Sequence, residues 1–83
     1  MPLTRMSAEA ARRIDELVVR ISRYLAANPS ACDTAEGIRQ RWLVGTAPTP
    51  QDMSAALDHL VRAGSVERIV QHSTTVYRAK HAG

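Results

Sequence analysis

The side chains with the most chemical potential in this sequence are three histidines and one cysteine. His59, His72 and His81 are far apart along the chain, and no two of them form the i, i+4 pair with which a helix binds zinc. Cys32 is the only cysteine, which excludes an internal disulfide and a metal cluster built from several cysteines. No motif groups a nucleophile with a base, and no glycine-rich phosphate loop is present. We therefore expect no enzyme activity, no metal site and no cofactor.

Cys32 leaves one regulatory alternative open. It precedes the expected start of the second helix, where the positive end of the helix dipole would stabilise a thiolate. Redox sensing by Cys32 is therefore one hypothesis. The other, which we favour, is a semi-buried or incidental cysteine without a chemical role.

Charge gives a weak indication of a polyanionic partner. The 83-residue chain carries eleven basic and eight acidic residues, a formal net charge of +3 at pH 7. Basic and acidic residues number five and three in residues 1–27, two and two in residues 28–50, and four and three in residues 51–83. This distribution permits binding to nucleic acid without requiring it. Without a signal peptide or an apolar run of bilayer-spanning length, we expect a cytoplasmic protein that does not contact a membrane.

Hydrophobic periodicity predicts two helices in the first half of the chain. The first runs from about Ser7, a suitable N-cap, to Ala27, because Asn28-Pro29 cannot continue helical hydrogen bonding. The second begins near Asp33 and Glu36, whose spacing suits a capping box. The apolar residues that recur one helical turn apart are Ala10, Ile14, Leu17, Val18, Ile21 and Leu25 in the first helix and Ile38 and Trp42 in the second.

The second half of the chain predicts a third helix followed by a β-hairpin. Thr49 is a good N-cap, Pro50 suits the first helical position, and Gly64 suits an exit with positive φ. Two β-prone runs, Val66–Gln71 and Thr74–Ala79, are close enough to pair as antiparallel strands, although the turn between them lacks glycine and its type stays open. The buried stripe expected on the third helix consists of Met53, Ala56, Leu57, Leu60 and Val61.

The order helix, helix, helix, strand, strand predicts a single α+β domain. The expected boundaries are residues 1–6 for a flexible N-terminal arm, 7–80 for the domain and 81–83 for a frayed end. The run Ala56 to Arg68, ALDHLVRAGSVER, resembles the end of the third helix and the start of the wing in bacterial winged helix-turn-helix regulators, and Val76-Tyr77-Arg78 resembles their return strand. The resemblance implies a three-helix winged helix-turn-helix domain with a C-terminal two-stranded β-hairpin wing. It also implies a DNA-binding transcriptional regulator or accessory factor.

In such regulators the third helix enters the major groove, and the wing contacts the backbone or the minor groove. On the outer face of the third helix, Gln51 could read adenine, and Arg62 could read guanine or bind phosphate. Asp52 and Asp58 oppose this role because they would repel phosphates, although Asp58 has a possible ion-pair partner in Arg62 at i+4. The residues expected to contact double-stranded DNA are Arg39 and Arg41 of the second helix, Gln51, Ser54, His59 and Arg62 of the third helix, and Arg68, His72, Thr74, Arg78 and Lys80 of the wing.

A winged-helix domain that binds another protein, without sequence-specific DNA binding, is the alternative. The link from Gly45 to Thr49 is longer than the three or four residues that usually join the two helices of a helix-turn-helix. The balanced charge of residues 28–50 also favours this alternative. Trp42 could anchor such a partner, but we favour a core position for it beside Ile38.

The first helix suggests a homodimer contact. Its outer face places Val19 among charged residues, including Arg12, Glu16 and Arg20, which are spaced for i, i+4 pairs. Together with the apolar residues of the arm, this face could form the interface of a dimer. A solvated, salt-bridged face without a partner is the interpretation we favour for these residues.

Overall fold

Residues 8–80 are described by the computed structural model, and they fold in the order helix, strand, helix, helix, strand, strand. The elements are α1 (Ala8–Ala27), β1 (Cys32–Asp33), α2 (Ala35–Gly37, continued by a π-helical turn at Ile38–Trp42), α3 (Pro50–Arg62), β2 (Val66–Gln71) and β3 (Thr74–Ala79). The predicted arm at residues 1–6, the helix start at Ser7 and the frayed end at 81–83 lie outside the described residues. None of the described helices is long and apolar enough to cross a membrane.

Helices α1 and α3 pack against each other and form most of the core. Their buried side chains include Leu17, Ile21, Leu25, Met53, Ala56, Leu57 and Leu60. These residues belong to the two predicted stripes, which are confirmed. The predicted ends of α3 are also confirmed: the Thr49 hydroxyl accepts a hydrogen bond from the backbone N–H of Asp52 at 3.1 Å, and Gly64 has a φ of +81°.

The second helix begins one residue later than predicted. Thr34, and not Asp33, is the N-cap, because the Thr34 hydroxyl accepts the backbone N–H of Gly37 at 3.0 Å. Asp33 is still in an extended strand, and its carboxylate accepts the N–H of Thr34 at 2.9 Å. The predicted capping box between Asp33 and Glu36 is therefore wrong. Glu36 instead pairs with Arg39 on the next helical turn.

A widened π-helical turn follows α2. The backbone N–H of Leu43 donates to the carbonyl of Ile38 at 3.2 Å, a bond across five residues in place of four. The extra residue in the turn brings Leu43 towards the side occupied by Ile38, and Ile38, Trp42 and Leu43 are all buried. Trp42 stacks on Tyr24, with the ring centroids 4.6 Å apart. The core position predicted for Trp42 is confirmed.

The sheet has three strands where the sequence predicted two, in the order β1-β3-β2. The hairpin is confirmed with its predicted bounds, and its register runs from Val66 opposite Ala79 to Gln71 opposite Thr74. Its two-residue turn has positive φ at both His72 (49°) and Ser73 (72°), as a type I′ turn requires. The two-residue strand β1 was missed because so short a segment has no periodic pattern.

A largely buried carboxylate connects α1 to the start of α3. Nε of Arg13 donates to Oδ2 of Asp52 at 3.0 Å, and the Asp52 side chain is only 12% exposed. Asp52 was expected to lie near bound phosphates, but its carboxylate is instead directed at α1. The pair therefore adds a polar contact between the two helices and removes one negative charge from the outer face of α3.

Arg13→Ala should lower the free energy of unfolding by about 1 kcal/mol, because it leaves the Asp52 carboxylate without its charged partner. The matched control is Arg12→Ala, which removes an exposed arginine that forms no ion pair in the described part of the chain. We expect the control to change stability by less than about 0.5 kcal/mol. Urea unfolding of both variants checks the prediction, and equal losses would contradict it.

Candidate nucleic-acid interface

The outer face of α3 presents a polar stripe. Thr49 and Pro50 start the helix so that the apolar stripe faces α1, and the opposite side consequently faces outward. On that side Gln51, Ser54, His59 and Arg62 are exposed, and Ala55 and Asp58 are partly buried. The structure thus brings together the four α3 residues predicted to contact DNA. Their side chains contain hydrogen-bond donors and acceptors suited to base edges and phosphates.

Arg68 connects this stripe to the hairpin. In an antiparallel sheet the residues of one strand alternate between the faces, so Arg68 shares the helix-facing side of β2 with the buried Val66. From there Nη2 of Arg68 bonds to Oδ1 of Asp58 on α3. The guanidinium also lies 5.5 Å from the ring centroid of Tyr77, its partner on β3. Interactions with Tyr77, and next with Asp58, raise the pKa of Arg68, which therefore stays charged.

The predicted partner of Asp58 was a different arginine. The sequence suggested an i, i+4 ion pair with Arg62, but the guanidinium of Arg62 contacts only the backbone carbonyl of Asp58, at 3.5 Å. The carboxylate pairs with Arg68, ten residues along the chain. The alternation of β2 was the signal that could have found this contact, because it places Arg68 on the same side as Val66. Arg62 consequently keeps its charge free of any carboxylate among the described residues.

The remaining residues predicted for a wing lie on the other face of the hairpin, at its turn and beyond its end. Arg78 lies opposite Glu67 on the face that points away from the helices, and its Nε is 3.5 Å from Oε1 of Glu67. Thr74 is on the same face, and His72 is exposed at the turn. Lys80 follows β3 and has an exposed side chain. The hairpin thus divides the predicted wing residues, with Arg68 towards α3 and Arg78 away from it.

Arg39 and Arg41 of the second helix are both engaged in ion pairs. Arg39 bonds to Glu36, and hydrogen bonds from Arg39 and then Gln40 lower the pKa of that carboxyl group. Arg39 also lines a groove of about 190 Å³ between the second helix and α3, together with Ser54. Arg41 turns back to β1, where Nε and Nη2 bond to the two carboxylate oxygens of Asp33 at 3.1 and 2.9 Å. Arg39 is therefore near α3, and Arg41 has no hydrogen bond or ion pair with α3.

Cys32 precedes the second helix, as expected, and lies on β1 opposite Arg78, where it is exposed and not semi-buried. The α1 face departs from its prediction. The i, i+4 ion pairs expected between Arg12, Glu16 and Arg20 do not form in the described part of the chain. Over the same residues, no group of three or more potential ligands could hold a metal ion.

No protein-family model, curated protein or solved structure matches this chain. What the geometry itself offers is a polar helix face, the groove beside it and a hairpin joined to that face by an ion pair.

Proposed function

We propose that this protein is a winged-helix domain that binds double-stranded DNA, with α3 in the major groove and the β2–β3 hairpin beside it as the wing. The observation that carries the proposal is the Asp58–Arg68 ion pair, which holds the hairpin against a helix whose outer face is polar. A helix fits the major groove of B-form DNA, and a hairpin held at a constant distance from it can follow the adjacent backbone. The third strand, β1, extends the sheet on the far side of β3 and is compatible with this arrangement.

The contact residues take different roles in this proposal. Gln51, near the start of α3, reads a base edge, and Arg62, near its end, reads guanine or binds phosphate. Ser54, His59 and Arg39 lie beside them and supply further polar contacts. The exposed turn residue His72 contacts the sugar-phosphate backbone of the DNA. Arg41 is directed at β1, and Arg78 lies on the outer face of the sheet. Neither arginine contacts the DNA directly in this proposal, and both contribute only to the electrostatic potential of the domain.

Ion pairing limits the expected electrostatic affinity. Arg39, Arg41, Arg68 and Arg78 each have a carboxylate partner within 4 Å. We therefore expect each domain to neutralise only about three phosphates, which corresponds to a salt slope of roughly −2.7 and about a 40-fold loss of affinity between 50 and 200 mM salt.

Fluorescence anisotropy of a labelled duplex, titrated with the full chain at both salt concentrations, tests the proposal. Arg62→Ala should weaken binding several-fold and reduce the salt slope by about 1. Arg23→Ala is the matched control: it removes the same charge from the outer face of α1 and should leave affinity nearly unchanged. Absence of binding at about 50 mM salt, or equal losses in the two variants, would contradict DNA binding through α3.

Docking of a protein partner is a second candidate, and the same ion pairs favour it. Surfaces whose arginines are already neutralised are better suited to a polar protein interface than to a polyanion.

Val19 is 46% exposed on the outer face of α1, where the sequence suggested a homodimer contact. Light scattering at micromolar concentration would give the mass of the species in solution. A dimer that Val19→Glu converts to a monomer would support this interface.

A further inference from the structure

Asp58 occupies the middle of the polar stripe on α3, between Gln51 and Arg62. Its side chain is 46% exposed, so it is accessible from the face that would enter the major groove. Oδ1 is bonded to Arg68, whereas Oδ2 has no hydrogen bond within the described part of the chain. The carboxylate therefore has one oxygen that holds the hairpin and one that is available to a donor from outside.

The pairing with Arg68 changes what a carboxylate at this position can do. An isolated aspartate in the major groove would be repelled by the phosphates on both sides. Here Arg68, which is itself held against Tyr77, offsets the negative charge while leaving Oδ2 without a hydrogen-bond partner among the described residues. The result is an ion pair with almost no net charge, whose carboxylate can accept a hydrogen bond but cannot donate one.

The bases differ in how well they match such an acceptor. In the major groove cytosine offers the N4 amino donor, whereas adenine places the N7 acceptor directly beside its N6 donor, and guanine and thymine offer only acceptors. An ionised carboxylate meets repulsion from N7 of adenine, so cytosine is the favourable match. Arg62 lies one helical turn further along the same face and is a donor that suits the guanine of a C·G pair.

We propose that Asp58 is a specificity-determining residue that accepts a hydrogen bond from the N4 amino group of a cytosine, with its charge offset by Arg68. This inference rests on the proposed binding of DNA through α3. In the sequence, Asp58 opposed DNA binding because it would repel phosphates. In this proposal, Asp58 selects one base pair of the binding site.

The test is selection of binding sites from a randomised duplex pool, followed by titration of the preferred site and of versions with one base pair changed. The wild-type chain should prefer cytosine over each other base at one position by roughly tenfold. Asp58→Asn should move that preference towards adenine, because a carboxamide can bond to both N6 and N7. Asp58→Ala should remove the preference, because alanine has no acceptor for the N4 amino group. Glu16→Gln on α1 is the control and should retain the cytosine preference.

The possible outcomes separate this inference from the proposed function. If the chain binds duplexes with the expected salt dependence but Asp58→Asn leaves the base preference unchanged, Asp58 does not read cytosine and the proposed function stands. The same holds if the wild-type chain prefers particular bases at other positions but shows no preference for cytosine. If the wild-type chain does not bind duplex DNA at low salt, both proposals are overturned. Circular dichroism of each variant establishes that an altered preference does not reflect unfolding.

Discussion

Leu57→Ala should lower the free energy of unfolding by about 3 kcal/mol. The Leu57 side chain is 1% exposed and lies where α3 meets the rest of the core. Its truncation removes buried methyl groups and leaves a cavity, since closely packed surroundings relax only in part. In a domain of this size the loss corresponds to a decrease of roughly 12–24 °C in Tm.

Thermal and urea unfolding of Leu57→Ala, compared with Val19→Ala, checks this expectation. Val19 is 46% exposed on α1, and alanine is the better helix former, so the control should be neutral or slightly stabilising. A loss below about 1 kcal/mol in Leu57→Ala would mean that α3 does not pack on the core as described. The positions of the helix and of the hairpin in the proposed interface would then lose their basis.

Gly37→Ala should destabilise the protein, although this substitution in a helix usually stabilises by about 1 kcal/mol. A β-carbon on Gly37 would lie 2.0 Å from Oδ1 of Asp33, well inside contact distance. Asp33 cannot move without cost, because its carboxylate accepts hydrogen bonds from Arg41 and from the backbone of Thr34. We expect a net loss of roughly 1–2 kcal/mol as these bonds are broken or strained.

A double-mutant cycle with Asp33→Ala assigns the cause of this loss. In the Asp33→Ala background the new methyl group meets no carboxylate, so Gly37→Ala should become neutral or stabilising there. The coupling between the two substitutions should exceed 1 kcal/mol in magnitude, as is typical of residues in direct contact. Additive effects in urea unfolding would show that the close approach of Asp33 to Gly37 is not what requires glycine.

The comparison of α2 with α3 shows why sequence reasoning succeeded in one helix and failed in the other. Helix α3 has a strong cap, proline at its first position and five apolar residues in register, and all of these signals act within a few residues. In the second helix two possible caps, Asp33 and Thr34, are adjacent, and the choice between them depends on β1. That strand forms only because β3, more than 40 residues away, presents Tyr77 and Arg78 to it.

The candidate interface was likewise predictable from the sequence only in part. Helical projection alone identified the exposed side of α3, with Gln51 and Arg62 on it. The sequence did not show which carboxylate each arginine would pair with. Ion pairs such as Arg68 with Asp58 and Arg41 with Asp33 join residues that are eight to ten positions apart and lie in different elements. The strand register and the ion pairs also place Arg68 and Arg78, both predicted as wing contacts, on opposite faces of the hairpin.

The sequence by itself determined the three helices, the buried stripes of α1 and α3 and the hairpin with its bounds, since periodicity, caps and turns are local properties of the chain. Only the tertiary structure decided that β1 joins the sheet, that Gly37 lies under Asp33, that Asp52 is held by Arg13 and that Asp58 is neutralised by Arg68. These features depend on groups that meet only after the elements have packed. A charged side chain has the same local preferences whichever partner it finally reaches.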